Sequence, residues 1–215
     1  MDLYFAPLAC SLSARIALYE GGRASRFHPG RHPGEDAGRR RAASFLTVNP
    51  LGPGAGAAPR RRRAPDRDPV VLQAIGDAYP GSGLVPPPGR GALSGPAMAD
   101  TSVTSELHKF VFIALLDAQA PEGAKLYARG KKAVPRFDYL DAHLAGSDFL
   151  TGRFSVADAY LVTILNWAAP SGIDLARWPA VAAYFKRQHQ RPSIAKAFAE
   201  ELVLYREEQA RQKAA

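Results

Sequence analysis

The sequence predicts an α/β N-terminal part followed by an all-α C-terminal part, and three observations predict it. A short apolar strand runs straight into a helix within the first 22 residues. From Thr101 onward, apolar residues recur at helical spacing. Between the two parts, Pro86-Pro87-Pro88 opens a linker that extends to about Ala99. A chain of 215 residues, 47% of them hydrophobic, can bury one core or the cores of two domains of roughly 100 residues each. The division reads as a first domain over 1–82, a linker over 83–100 and a helical domain over 101–215.

Leu3-Tyr4-Phe5 forms the strand, Ala6-Pro7-Leu8-Ala9 a turn, and Ser11 to Glu20 a helix with Leu12, Ile16, Ala17 and Leu18 on its apolar side. Gly21-Gly22 ends that helix, because glycine takes the left-handed conformation of a C-terminal cap without steric cost. Residues 23–43 lose all periodicity, Phe45 to Pro50 reads as folded sequence, and residues 52–69 are Gly/Ala/Pro followed by Arg60-Arg61-Arg62-Arg63. Such a stretch cannot supply a central strand, which needs apolar residues on both faces. Val70-Val71-Leu72-Gln73-Ala74-Ile75 begins a helix, and further helices are expected near 101–118, 123–144, 155–168, 178–189 and 192–208. Ser155-Val156-Ala157-Asp158 is a capping box, whose hydroxyl and carboxylate satisfy free amides at a helix start. Phe154, just before it, is placed to staple onto the following turn.

Several function classes are excluded. The one cysteine, Cys10, permits neither an intrachain disulfide nor a cysteine-based zinc cluster. The five histidines include no HExxH pair, and no GxxxxGK[ST] loop occurs, so neither a metal nor a nucleotide site is expected. No apolar run approaches membrane-spanning length, and Met1-Asp2-Leu3-Tyr4 lacks a basic leader; a soluble cytoplasmic protein is the expectation. The net charge of +8 is concentrated: eleven arginines between Arg23 and Arg67 face only Glu35, Asp36 and Asp66 (11 − 3 = +8). Those clusters lack interleaved aromatics, so nucleic acid is not the expected partner.

Three stretches carry a resemblance to a known family. Leu3-Tyr4-Phe5-Ala6-Pro7-Leu8-Ala9-Cys10-Ser11-Leu12 resembles the first strand and active-site turn of bacterial beta-class glutathione S-transferases. Ser105-Glu106-Leu107-His108-Lys109 resembles a helix motif of that class. Phe149-Leu150-Thr151-Gly152 through Tyr160, ending Leu165-Asn166-Trp167, is similar to the folding motif of its helical domain. With Phe45–Pro50 and Val70–Ala78, the resemblance covers roughly two-thirds of the chain. It implies the glutathione S-transferase fold, a thioredoxin-like N-terminal domain plus an all-α C-terminal domain, and a homodimer. Glutathione is the implied cosubstrate, conjugated to hydrophobic electrophiles or exchanged with disulfides. Cys10, Ser11 and His108 are the implied catalytic residues. Cys10, Lys109 and Asp68 hold glutathione, and Phe112, Tyr160 and Trp167 wall the electrophile pocket. The chemistry suits the residues: a helix N-terminus favours a thiolate, a serine can donate to it, and a histidine can shuttle a proton. The same residues also admit plainer roles, with Cys10 as a buried hydrophobe, His108 on a solvated face, and Tyr160 and Trp167 in the core.

The sequence departs from the family pattern in three places. Gly54-Ala55 stands where a Val-Pro pair presents backbone to glutathione, Arg67-Asp68 where an acidic residue precedes a hydroxyl, and Glu35-Asp36 where a basic ligand belongs. Reverse-translated and read one base later, Gly30–Arg41 permits VDIRAKTLADG, and Pro53–Asp68 permits RVPALRLDDG and then, after two residues, LTE. Both readings restore the missing ligands. Compensating frameshifts in the gene or its recorded sequence are therefore the expected source of the arginine runs. A chain truly carrying them is expected to bind glutathione poorly, which leaves a non-catalytic ligand-binding protein on the same fold as the alternative.

Overall fold

Residues Asp2–Phe5 alternate between half-buried and buried positions and form strand β1. Leu3 and Phe5 are 0% and 3% exposed, and burying each such side chain contributes about 1.5–3 kcal/mol. In the computed structural model, which describes residues 1–22, 24–29, 56–58, 68–85, 107–108, 111 and 121–214, contacts group the chain into two units. One comprises Met1–Leu84 and Pro192–Ala215, the other Val85–Arg191.

In the first unit β1 leads through a turn into helix α1, Leu12–Glu20, and the chain returns as strand β2, Arg26–Pro29, parallel to β1. A helical crossover is the usual way to bring two parallel strands together. Strand β3, Gly56–Ala58, pairs antiparallel on the other side of β1, giving the order β2-β1-β3 among the described strands. Both short strands fall within stretches that lack periodicity, so the reading of 23–43 as wholly irregular is corrected by β2. Its pairing comes from cross-strand contacts. Asp2 Oδ1 lies 2.9 Å from His28 Nε2 and 3.1 Å from Arg26 Nε, and Tyr4 stacks on His28 with ring centroids 4.9 Å apart. The His28 hydrogen bond, assisted by Arg26, holds the Asp2 carboxyl below its usual value.

Helix α1 is buried from Leu12 to Leu18 and packs against helix α2, Asp68–Ala78. It ends at Gly21-Gly22 as expected, with Gly22 at φ +70°. A Cβ at Gly21 would meet the Tyr79 ring at 2.9 Å, so a substitution there forces the ring to shift. The last helix, here α7, Pro192–Ala214, also packs on α1 and buries Ser193, Ile194, Ala197 and Glu201. The Ser193 hydroxyl hydrogen-bonds Glu20 at the far end of α1.

In the second unit, Glu122–Tyr127 (α3) and Val134–Leu144 (α4) flank a π-helical stretch at Ala128–Ala133. The helix expected over 123–144 thus exists with a register change in its middle. Helix α5, Val156–Leu165, is buried at every position and forms the centre of this unit. Its capping box is present: Ser155 N donates to Asp158 Oδ2 at 2.9 Å. Asp158 Oδ1 also accepts from Leu150 N and Tyr184 Oη, each at 3.0 Å. Helix α6, Pro179–His189, is tied to α4 by Asp141 Oδ1, which accepts from Ala180 N and Val181 N at 2.8 and 3.0 Å. Trp178 stacks on Phe137 at 4.5 Å and donates Nε1–H to Asp138. No helix among the described residues is long and apolar enough to cross a membrane.

Candidate active site

The turn between β1 and α1 is built by backbone bonds. Ala9 N donates to Ala6 O at 3.2 Å, Leu12 N to Ala9 O at 3.0 Å, and Ser13 N to Cys10 O at 3.1 Å. Two hydroxyls tighten it: Ser11 Oγ donates to Ala6 O at 3.2 Å, and Ser13 Oγ to Cys10 O at 2.7 Å. Cys10 is partly exposed two residues before the first residue of α1. Ser11 is 2% exposed, so its hydroxyl proton is spent on the turn in this geometry. Leu8 adopts φ +57°, a left-handed conformation that costs a non-glycine residue about 1–2 kcal/mol. Asp68 heads α2 in the same unit.

Beneath this turn lies a charge cluster that periodicity did not reveal. Leu8 N donates to Glu201 Oε2 at 2.8 Å, and Glu201 is 0% exposed on α7. Arg15, 6% exposed on α1, has its guanidinium 4.9 Å from the Phe5 ring centre and 4.3 Å from that of Phe27. It reaches Glu200 Oε2 at 2.6 Å and lies 3.6 Å from Glu201 Oε1. The Tyr19 hydroxyl bonds Glu200 as well, and burial with that bond raises the Tyr19 pKa. Burial pushes the Glu201 carboxyl up to about 7, although the Leu8 amide and Arg15 both pull the other way. A sequence signal for this cluster does exist. Arg15 stands inside the apolar run of α1, and Glu201 follows Ile194 and Ala197 at helical spacing, so each charge occupies a stripe position.

The second unit brings three of the expected residues together. His108 is half-buried in a helical stretch, 6.3 Å from Tyr160 and 5.4 Å from Trp167 between ring centroids. Tyr160 and Trp167 are 4% and 5% exposed, as core residues are, yet both present ring surface to His108. Lys109 and Phe112, expected beside them, lie outside the described residues, as does the Asp68 side chain. The three positions that depart from the family pattern, 35–36, 54–55 and 67, lie outside them too.

Comparison with known proteins covers the whole arrangement. A family model described as the glutathione S-transferase C-terminal domain matches residues 127–187. The chain is 32% identical to glutathione S-transferase GST-4.5 of Xanthomonas campestris pv. campestris, over 87% of this chain and 92% of that one. A glutathione transferase structure from Methylococcus capsulatus str. Bath superposes with a TM-score of 0.83 at 35% identity, covering 94% of this chain and 98% of that one. A sphingomonad glutathione S-transferase solved with glutathione superposes at 0.80 with 34% identity and the same coverage. These likenesses extend through the strand-bearing part and the helices alike, so the chain has the two-part fold its sequence predicts and belongs to the glutathione S-transferase family.

Proposed function

We propose that this chain is a glutathione transferase that holds glutathione at the Cys10 turn and delivers its sulfur to a hydrophobic electrophile or a disulfide. The observation carrying this reading is the position of the lone thiol, partly exposed on a clamped turn at the mouth of α1. Amides and dipole at a helix N-terminus favour negative charge on sulfur there. In conjugation, the glutathione thiolate attacks the electrophilic carbon and the leaving group departs with the electron pair. In exchange, the Cys10 thiolate attacks a glutathione-bearing disulfide, forms a Cys10–glutathione disulfide and releases the other sulfur as a thiol. The thiolate of a second glutathione then attacks the glutathione sulfur of that mixed disulfide, forming glutathione disulfide and expelling Cys10 as its thiolate.

Ser11 sets the geometry of the turn through Ala6 O in this scheme, and His108 supplies or takes the proton. Lys109 and Asp68 serve the charged ends of glutathione, and Phe112, Tyr160 and Trp167 line the apolar side of the electrophile site. A homodimer, a cytoplasmic location, a role in detoxification and the domain division 1–82 and 101–215 complete the proposal. Frameshifts over about 23–43 and 52–69 belong to it also. Retention on immobilised glutathione and turnover of a chlorodinitrobenzene test the function, with Cys10→Ala as the comparison. A chain that neither binds glutathione nor turns over fails it. Glu35-Asp36, where the family has a basic residue, and Arg67-Asp68, where it has an acidic residue followed by a hydroxyl, favour one rival, a non-catalytic binder of apolar ligands. Uptake of an apolar dye without glutathione retention identifies that rival.

A further inference from the structure

The cluster under the Cys10 turn has no part in the scheme above. Its location is the reason to consider it. Leu8 is the one described non-glycine residue with positive φ, and it sits two residues before the thiol. Its amide is held by a carboxylate from the last helix, 193 positions away in sequence. A left-handed leucine persists only where its surroundings over-determine it, and here a fully buried acceptor meets its N–H at 2.8 Å.

We propose that Glu201 is a positioning residue for Cys10: by holding the Leu8 amide from α7, with Arg15 behind it, it sets the conformation and hence the reactivity of the thiol turn. The inference rests on the reading of Cys10 as the reactive group. Glu201 touches neither substrate nor thiol in this role and acts through Leu8.

The groups facing Glu201 decide what its ionisation does. From α1 comes Arg15, and from α7 itself Glu200, which is bonded to Tyr19; Lys196 lies over the Tyr19 ring, 4.5 Å from its centre. Glu20 is engaged at the far end by Ser193. The turn contributes the Leu8 N–H. With a carboxyl that titrates at about 7, Glu201 gains charge in the range where thiolate chemistry runs. The charged form accepts the Leu8 amide in a charge-assisted bond roughly twice as strong as a neutral one. Breaking that one bond while Glu201 stays buried is then costlier above neutrality, even though ionising Glu201 lowers the stability of the fold as a whole.

The single cysteine makes a direct test possible, since every alkylation event in the chain reports on Cys10. The rate of alkylation by iodoacetamide is measured against pH for the full chain and for Glu201→Gln, without glutathione. The proposal expects two inflections in the parent protein, the thiol's own and a second near neutrality. Glu201→Gln loses the second, and its rate above neutrality changes by roughly five- to tenfold. Profiles that superimpose for a folded Glu201→Gln overturn the proposal. Should that variant not fold, hydrogen exchange at the Leu8 amide of the parent decides, corrected for intrinsic rate. Slower exchange at about pH 8 than at about pH 6 supports the coupling, and no change overturns it. The underlying reading is tested separately. If Cys10→Ser leaves glutathione turnover intact, the role of Cys10 falls, while the alkylation profiles still report whether Glu201 controls the turn.

Discussion

Tyr184 donates its hydroxyl to Asp158 Oδ1 at 3.0 Å, both residues being 0% exposed. The same carboxylate accepts the amides of Leu150 and Ser155, so it joins the loop before α5, the first turn of α5 and the body of α6. Burial raises the pKa of both partners, which face each other across one hydrogen bond. Asp158→Ala leaves several buried donors without an acceptor and is expected to cost about 3–5 kcal/mol, against about 1 kcal/mol for Tyr184→Phe. Urea unfolding of the two variants checks the difference, and equal losses contradict it.

Glu201 makes stability depend on pH in a direction opposite to that of a salt-bridged acid. Its pKa is raised from 4.5 to about 7 in the folded chain, so between those values the folded state binds more protons than the unfolded one. Stability therefore falls as pH rises through that window, by roughly 3 kcal/mol in all. Melting temperatures across the window are expected to decline in the parent and to flatten in Glu201→Gln. A parent curve that rises from about pH 5 to 7 opposes the assignment.

At the turn, Cys10→Ala is expected to lower kcat/KM for glutathione conjugation by about tenfold or more while leaving the melting temperature within a few degrees. Ser11→Ala removes the bond to Ala6 O and is expected to cost about 1 kcal/mol of stability as well as activity. A paired measurement of kinetics and thermal unfolding separates the two roles. Ser11→Ala with full stability and lost turnover assigns the hydroxyl to the thiolate instead.

The frameshift proposal has its own readout. If the shifts lie in the recorded sequence, an intact mass of the natural protein differs from the 23.1 kDa of the written one. Peptides covering 31–68 with the arginine runs in place, together with an agreeing mass, refute the recording-error version and leave shifts in the gene itself.

How much of this was legible follows from what periodicity can register. Strand β1, helix α1 with its Gly21-Gly22 end, and the Ser155/Asp158 cap were readable because each is written in local spacing. The short strands β2 and β3 were not, since Arg-Phe-His-Pro and Gly-Ala-Ala form a sheet by pairing with β1 and not through any alternation of their own. The π-helical stretch at Ala128–Ala133 is invisible to a pattern that only counts apolar positions. Of the candidate site, Cys10 was proposed from its motif. Arg15 and Glu201 were missed because a charge on an apolar stripe reads as an interruption, and only a contact across 186 positions (201 − 15) turns the two interruptions into a pair.

The first unit is assembled from both ends of the chain, with Met1–Leu84 completed by Pro192–Ala215, whereas Val85–Arg191 is continuous. During synthesis the thiol turn therefore leaves the ribosome long before the helix that clamps Leu8 has been made. The continuous unit is complete in sequence before the cysteine-bearing unit, which at that point still lacks Pro192–Ala215. Premature termination ahead of Glu201 removes the acceptor of the Leu8 amide even though every residue of the Cys10 turn has already been translated.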